Sequence, residues 1–154
     1  MNLNPFWVAG FVDGEGTFYI GINKQPSMTI GYQVLPEFRI VQHKKDIKLL
    51  YELKKFFGFG VVRVNHDDRY ELRIRKIDHL KDIILFFEKY QLQTQKQFDF
   101  LKFKKIIKLI EESKHIEIQG LLRIIEIASQ MNRKEKIKAN NIKKDLLSRL
   151  RKSP

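Results

Sequence analysis

The chain of 154 residues contains no cysteine. Disulfide frameworks, thiolate zinc sites and thiol nucleophiles are thereby excluded, leaving hydroxyl, carboxylate, imidazole and amine chemistry. Long apolar runs are missing as well. None approaches the roughly 18 residues that a membrane-spanning helix needs, and the segment from Met1 to Phe11 lacks the basic start and extended apolar stretch of a secretory signal. The expectation is a soluble, intracellular protein with no membrane partner. The eight glycines form no nucleotide-binding fingerprint and no G-x-x-x-x-G-K-[ST] occurs, so no nucleotide cofactor is expected. His66, His79 and His115 have no metal-ligand spacing and read as surface or capping residues. Acids are scarce: 18 Asp and Glu face 30 Lys and Arg, a formal charge of +12.

With 43% hydrophobic residues, the chain can fill one core or two small ones. The charge excess is uneven: +3 over residues 1–100, +2 over 101–130 and +7 over 131–154. Such an excess points to nucleic acid or an acidic membrane surface as partner. Residues 131–154 lack a strongly apolar face with Trp anchors, so the membrane reading is the weaker one. Lys supplies 21 of the cations and Ile accounts for 19 residues, which also fits A+T-rich coding, and charge alone does not choose.

Asn4 followed by Pro5 predicts a helix cap and first helical position, with a short helix to about Asp13. Alternation then predicts a strand over 15–23, with Phe18, Ile20 and Ile22 on one face, and a second over 32–42, with Val34, Phe38 and Ile40 inward and Gln33, Glu37 and Arg39 outward. Residues 44–57 have helical spacing and stop at Gly58. A second hairpin, 61–65 and 69–76, turns at His66-Asp67-Asp68. Asp78 is expected to cap a helix to Phe87, and Gln95 to about Ile110 forms another with Phe98, Leu101, Ile106 and Ile110 on its apolar side. Two further helices follow at 116–130 and about 138–151.

Two antiparallel hairpins joined through helices give an α+β domain with helices on one side of the sheet. The uncovered face then carries Tyr19, Asn23, Gln33, Arg39, Arg63, Asn65, Arg69, Arg73 and Arg75. Such a face can enter the DNA major groove, where Arg reads guanine and Asn or Gln reads adenine in bidentate fashion. An ordinary solvated face fits the strands equally well.

The run Phe6-Trp7-Val8-Ala9-Gly10-Phe11-Val12-Asp13-Gly14-Glu15-Gly16 combines small residues within a helix, two carboxylates spaced by one glycine, and a second glycine opening a strand. Ala9 and Gly10 lack bulk, so another helix backbone can approach closely there; a mid-helix glycine otherwise costs about 0.5–1 kcal/mol relative to Ala. Gly14 and Gly16 allow a sharp helix-to-strand turn that projects Glu15 from its end. An isolated D-G-E-G fits a glycine-capped helix with solvated acids. The whole run V-A-G-F-V-D-G-E-G, however, resembles the LAGLIDADG motif, and the element order after it, through about residue 112, is similar to the αββαββα domain of LAGLIDADG homing endonucleases.

This resemblance implies an antiparallel sheet forming a DNA-binding saddle, a core over 1–112 and a basic helical extension of the same domain over 113–154. One motif copy in a chain too short for a second αββαββα unit implies a homodimer, with Val8, Ala9, Gly10, Val12 and Asp13 at the interface of paired motif helices. The implied activity is a staggered double-strand cut with 3′ overhangs in a long, pseudo-palindromic double-stranded DNA target, by metal-assisted phosphodiester hydrolysis. Carried over position by position, Glu15 and the Gly14 carbonyl hold Mg²⁺, with Mn²⁺ substituting and Ca²⁺ supporting binding without cleavage. Gln42 orients active-site water. The family's basic position ahead of the helix aligns without gaps to Thr94, and Lys96, two residues on, is taken as the transition-state cation. Glu71 joins the base-reading face named above, and His43, Lys44 and Lys45 supply cations near the scissile phosphate. Arg133, Lys134, Lys136, Lys138, Lys143 and Lys144 contact phosphate, making affinity steeply salt-dependent. The host compartment is implied only as organellar or archaeal. The competing reading is a non-cleaving intron RNA maturase or DNA-binding regulator on the same scaffold; the acid at position 15 argues against it, since a carboxylate beside phosphate is repulsive without metal.

Overall fold

A computed structural model describes residues 1–131 and 136–152, without the side chain of Lys136. In chain order the elements are α1 (Pro5–Glu15), β1 (Gly16–Lys24), β2 (Tyr32–His43), α2 (Ile47–Phe57), β3 (Val61–His66), β4 (Arg69–Ile74), α3 (Ile77–Lys89), α4 (Lys96–Glu111), α5 (Ile118–Ser129) and α6 (Lys136–Lys152), with single 3₁₀ turns at Lys44–Asp46 and Lys114–Ile116. The strands form one open sheet in the order β1-β2-β4-β3. Its antiparallel register sets Phe38 opposite Ile74, Arg39 opposite Arg73 and Arg63 opposite Glu71. This is the mixed α+β architecture the alternating strands and periodic helices predict. Among the described residues no helix is long and apolar enough to cross a membrane.

The local signals act as expected at several points. Asn4 Oδ1 accepts from Phe6 N at 2.8 Å, with Pro5 at the first helical position. Gly58, at φ 88°, ends α2 in the left-handed conformation that a side chain disfavours. Two expectations are corrected. Asp78 does not cap α3: the capping position is Lys76, without a side-chain bond, and Asp78 lies in the first turn, where its charge complements the helix dipole. The buried stripe of α4 is Phe100, Phe103, Ile106 and Ile107, while Phe98 and Leu101 are 56% and 42% exposed. Ile106 is buried as expected, and Phe100, Phe103 and Ile107 take the places of Phe98 and Leu101.

The chain divides into two compact units, one of Met1–Tyr19 with Pro36–Phe100 and one of Ile20–Leu35 with Leu101–Pro154. In the first, Phe18, Phe38, Phe87 and Phe100 form an aromatic cluster with ring centroids 5.2–6.1 Å apart. Leu50, Leu53, Leu72, Ile74, Leu80 and Ile83 are fully buried in the same unit. The second unit buries Ile22, Ile30, Ile106, Leu121, Ile124, Ile142 and Leu146.

Candidate active site and sheet face

Helix α1 runs through the whole acidic segment, so Glu15 is its last residue and is exposed. The helix then passes into β1 without a loop, a junction that requires Gly16. A Cβ there would lie 2.6 Å from Val12 Cγ1 and 3.0 Å from the Val12 carbonyl oxygen. Gly14 differs: a Cβ on it would meet nothing within 4 Å, and its backbone is open to an approaching group. The last turn of α1 has two acids and no basic residue, against the polarity of the helix dipole. Such an arrangement is unfavourable in the isolated chain and suited to binding a cation.

Three residues distant in sequence meet at this helix end. Gln42, near the end of β2, donates from Nε2 to Glu15 Oε2 at 3.2 Å. Lys96, opening α4, donates from Nζ to the Val12 carbonyl at 3.2 Å. Burial pushes the Lys96 ammonium below the ordinary lysine value, opposed by the charges of Asp13, Asp99 and Glu15. Asp13 turns away from the helix end and accepts from Gln93 N at 2.8 Å, from Thr94 N at 3.1 Å and from Thr94 Oγ1 at 2.6 Å. Burial raises its pKa, but the Thr94 hydroxyl, the two amides and Lys96 together hold it below the usual value. Thr94 is therefore a tether that ties α1 to the start of α4, and Lys96 is the cation brought to the acidic end. No composition or spacing signal reaches this pairing, because Lys96 and Val12 are 84 residues apart.

The sheet face of the first unit gathers Tyr19, Arg39, Arg63, Asn65, Glu71, Arg73 and Arg75. Arg39 lies over the Tyr19 ring, 5.2 Å from its centroid, and donates to Glu37 Oε2 at 3.0 Å. Arg75 donates from Nε to Glu37 Oε1 at 2.8 Å. Asn65 donates to Glu71 Oε2 at 2.9 Å, with Arg63 Nε 3.7 Å from the other oxygen. Burial first, then the neighbouring Arg75 and Arg63, lowers the Arg73 pKa, with Glu37 and Glu71 opposing. Two expectations change here. Glu37 reads as outward-facing but is buried beneath arginines, and Glu71, expected to contact bases, is 5% exposed with its oxygens turned to Asn65 and Arg63. Arg69 is exposed, and Lys44 pairs with Asp68 at 3.3 Å, both largely exposed.

In the second unit Lys138 donates to Asn23 Oδ1 at 2.6 Å. Gln33 is half-buried, and Lys143 and Lys144 are exposed. Tyr32 donates to Asp145 Oδ2 at 2.6 Å, and Arg149 reaches both that oxygen and the Ile30 carbonyl, at 2.6 and 2.7 Å. Sequence reasoning missed this trio, whose only signal is a single acid in a strongly basic helix. Arg133 and Lys134 lie outside the described residues.

The free face of α1 is not the one expected. Val8, Ala9 and Val12 are 0%, 6% and 0% exposed within the chain, so they have no surface left to offer a partner. The open side carries Trp7, Gly10, Phe11 and Gly14 at helical spacing. Trp7 is 46% exposed and stacks on Phe11, with centroids 5.1 Å apart, and a Cβ on Gly10 would meet nothing within 4 Å. Gly10 lies on this open side, and Asp13 is engaged within the chain.

Residues 8–107 match the LAGLIDADG endonuclease family. The chain is 34% identical over 134 residues to "Probable intron-encoded endonuclease 3" of Neurospora crassa, covering 86% of this chain and 25% of that protein. Among solved structures it resembles the homing endonuclease I-TnaI, with 54% identity and a TM-score of 0.91 over 95% of this chain and 99% of that one. It also resembles I-SmaMI bound to an uncleaved DNA target in the presence of calcium ions, with 35% identity and a TM-score of 0.84, over 86% of this chain and 46% of that one. The chain thus spans about a quarter of the length of the Neurospora relative.

Proposed function

Because this chain belongs to the LAGLIDADG endonuclease family, we propose that it is a site-specific homing endonuclease that cuts both strands of a long, nearly palindromic DNA target as a pair of identical subunits. The observation that carries this reading is the helix end where the exposed Glu15 carboxylate, the Gln42 amide and the Lys96 ammonium converge beside the open Gly14 backbone.

The donor set fits a hard divalent cation such as Mg²⁺ or Mn²⁺: Glu15 offers a carboxylate and Gly14 a carbonyl, both oxygen donors. Among the described residues no group of three His, Cys, Asp or Glu is gathered at one point. Glu15 and the Gly14 carbonyl are the groups of this chain that would hold the cation. When bound, the cation supplies charge stabilisation to the phosphate oxygens. Gln42 orients a water next to Glu15. Lys96 holds positive charge where negative charge grows on the phosphate. Cuts on opposite strands, one per subunit, leave staggered ends with 3′ overhangs.

The exposed Trp7-Gly10-Phe11-Gly14 stripe supports pairing of α1 with its copy, since an apolar helix with an uncovered face is a docking surface and the two glycines permit close backbone approach. The Arg-rich sheet face supports duplex binding. The Neurospora crassa relatives are named as intron-encoded, and an organellar host is proposed on that basis.

The test is incubation of the protein with a randomised duplex library in Mg²⁺ and in Ca²⁺. Recovery of one family of cut, nearly palindromic sequences in Mg²⁺, bound but intact in Ca²⁺, is expected. Tight binding without cutting under every divalent metal contradicts the nuclease reading and favours the binding-only alternative.

A further inference from the structure

The Arg-rich sheet face carries two carboxylates that repel DNA. Glu37 is 3% exposed and Glu71 5% exposed. Burying a carboxylate costs several kcal/mol unless close partners compensate it. The partners are the very groups expected to touch bases. Each Glu37 oxygen has its own arginine, Arg75 Nε at 2.8 Å and Arg39 NH1 at 3.0 Å. Register explains the meeting: Phe38 opposes Ile74, so Glu37 and Arg75 occupy the next rung, and Arg39 lies two residues along on the same face. Glu71 opposes Arg63 across β3 and β4 and accepts from Asn65 Nδ2 at 2.9 Å.

We propose that Glu37 and Glu71 are positioning residues that set base specificity, forming a carboxylate layer beneath the face that fixes which hydrogen-bonding edge Arg39, Arg75 and Asn65 present. With Nε committed to Glu37, Arg75 keeps its two terminal nitrogens for an acceptor pair. With NH1 committed, Arg39 keeps the other side of its fork. With Nδ2 held by Glu71, the Asn65 amide cannot turn over, so Oδ1 stays an acceptor, suited to the amino group of adenine or cytosine and opposed to a guanine or thymine oxygen. The layer lowers the positive charge of the face while raising its selectivity. An arginine freed from its carboxylate would instead swing to the nearest phosphate, which carries no sequence information.

This inference rests on the DNA-binding reading above. It predicts opposite signs for two readouts that a merely structural role would move together. Glu37→Gln and Glu71→Gln are compared with the wild-type chain for binding to a random-sequence duplex over a salt series, and for base preference in a randomised duplex library with Ca²⁺, which blocks cutting. Each folded variant is expected to bind random duplex more tightly and with a steeper salt dependence. Base preference is expected to fall about tenfold at the positions that also lose it in Arg75→Ala for Glu37, and in Asn65→Ala for Glu71. Glu37→Asp keeps the charge but draws the oxygens back by one methylene. It is expected to flatten preference while tightening random binding less than Glu37→Gln does, and it serves where the Gln variant does not fold. Preference profiles that match wild type in the folded variants overturn the proposal. So does a joint loss of preference and of random-duplex affinity with a lowered melting temperature. Wild-type protein that binds no duplex overturns the DNA-binding reading itself.

Discussion

Gln42 Nε2 donates to Glu15 Oε2 at 3.2 Å and to the carbonyl of its own neighbour Val41 at 2.9 Å. Both amide protons are therefore committed, and Gln42 Oε1 is left to accept from a water beside the carboxylate. Groups that orient a metal-ligating residue are typically worth 10–100-fold in activity. Gln42→Leu is expected to reduce the cleavage rate by about that range while leaving duplex affinity and melting temperature close to wild type. A filter-binding titration alongside a single-turnover cleavage assay separates the two effects.

Gly10 gives a prediction whose sign depends on assembly. A Cβ at this position meets nothing within 4 Å in the chain, so Gly10→Ala is expected to stabilise an isolated subunit by roughly 0.5–1 kcal/mol through helix propensity. Against a second α1 the same methyl group obstructs close approach. Sedimentation is expected to show weaker self-association in Gly10→Ala and still weaker in Gly10→Leu. Unchanged association in both would remove the α1 stripe as the interface.

Lys96 has its pKa lowered from 10.5, chiefly by burial. Its positive charge is then lost at a lower pH than that of a free lysine. As the transition-state cation, it predicts a cleavage rate that falls as pH rises through this depressed value. Lys96→Arg, which keeps its charge throughout, is expected to move that descending limb to higher pH, and Lys96→Met to abolish it along with most of the activity. A pH–rate profile under single-turnover conditions checks all three.

Much of this architecture was legible locally, and its exceptions share a cause. Asn4-Pro5, Gly58 and the alternation of Phe38 and Ile40 act through neighbours within a few residues, so composition and period reveal them. Glu15 and Gly14 came from the motif run. The Asp13–Thr94 and Lys96–Val12 pairings join segments more than 80 residues apart, which no local pattern encodes. Glu37 misled because period two places it outward correctly, yet Arg39 and Arg75 then cover it. On α1 the apolar residues run round the whole helix, so periodicity could not decide that Val8, Ala9 and Val12 face the chain's own interior while Trp7 and Gly10 face out.

The second unit has its own pH signature. The Tyr32 hydroxyl bond, followed by Arg149, lowers the Asp145 pKa from 3.8 against the opposing effect of burial. Burial and then Asp145 raise the Tyr32 pKa from 10.0. A depressed carboxylate stabilises the fold above its unfolded value, and this contribution is lost as pH falls through the folded one. A raised phenol stabilises below its unfolded value, and this contribution is lost as pH rises through the folded one. Tyr32→Phe is expected to shrink both effects, giving a melting temperature that varies less with pH below 3.8 and above 10.0. Thermal melts across pH read this directly.

The central claim is that Glu15 is the acid on which hydrolysis depends. The measurement is the cleavage rate and the affinity of wild type and Glu15→Gln on one selected duplex, in Mg²⁺ at fixed salt. The account predicts cleavage reduced by at least about a thousandfold, as when a group acting in the transition state is removed, with affinity kept within a fewfold of wild type. Cutting by Glu15→Gln at near wild-type rate, with the same affinity, would contradict it.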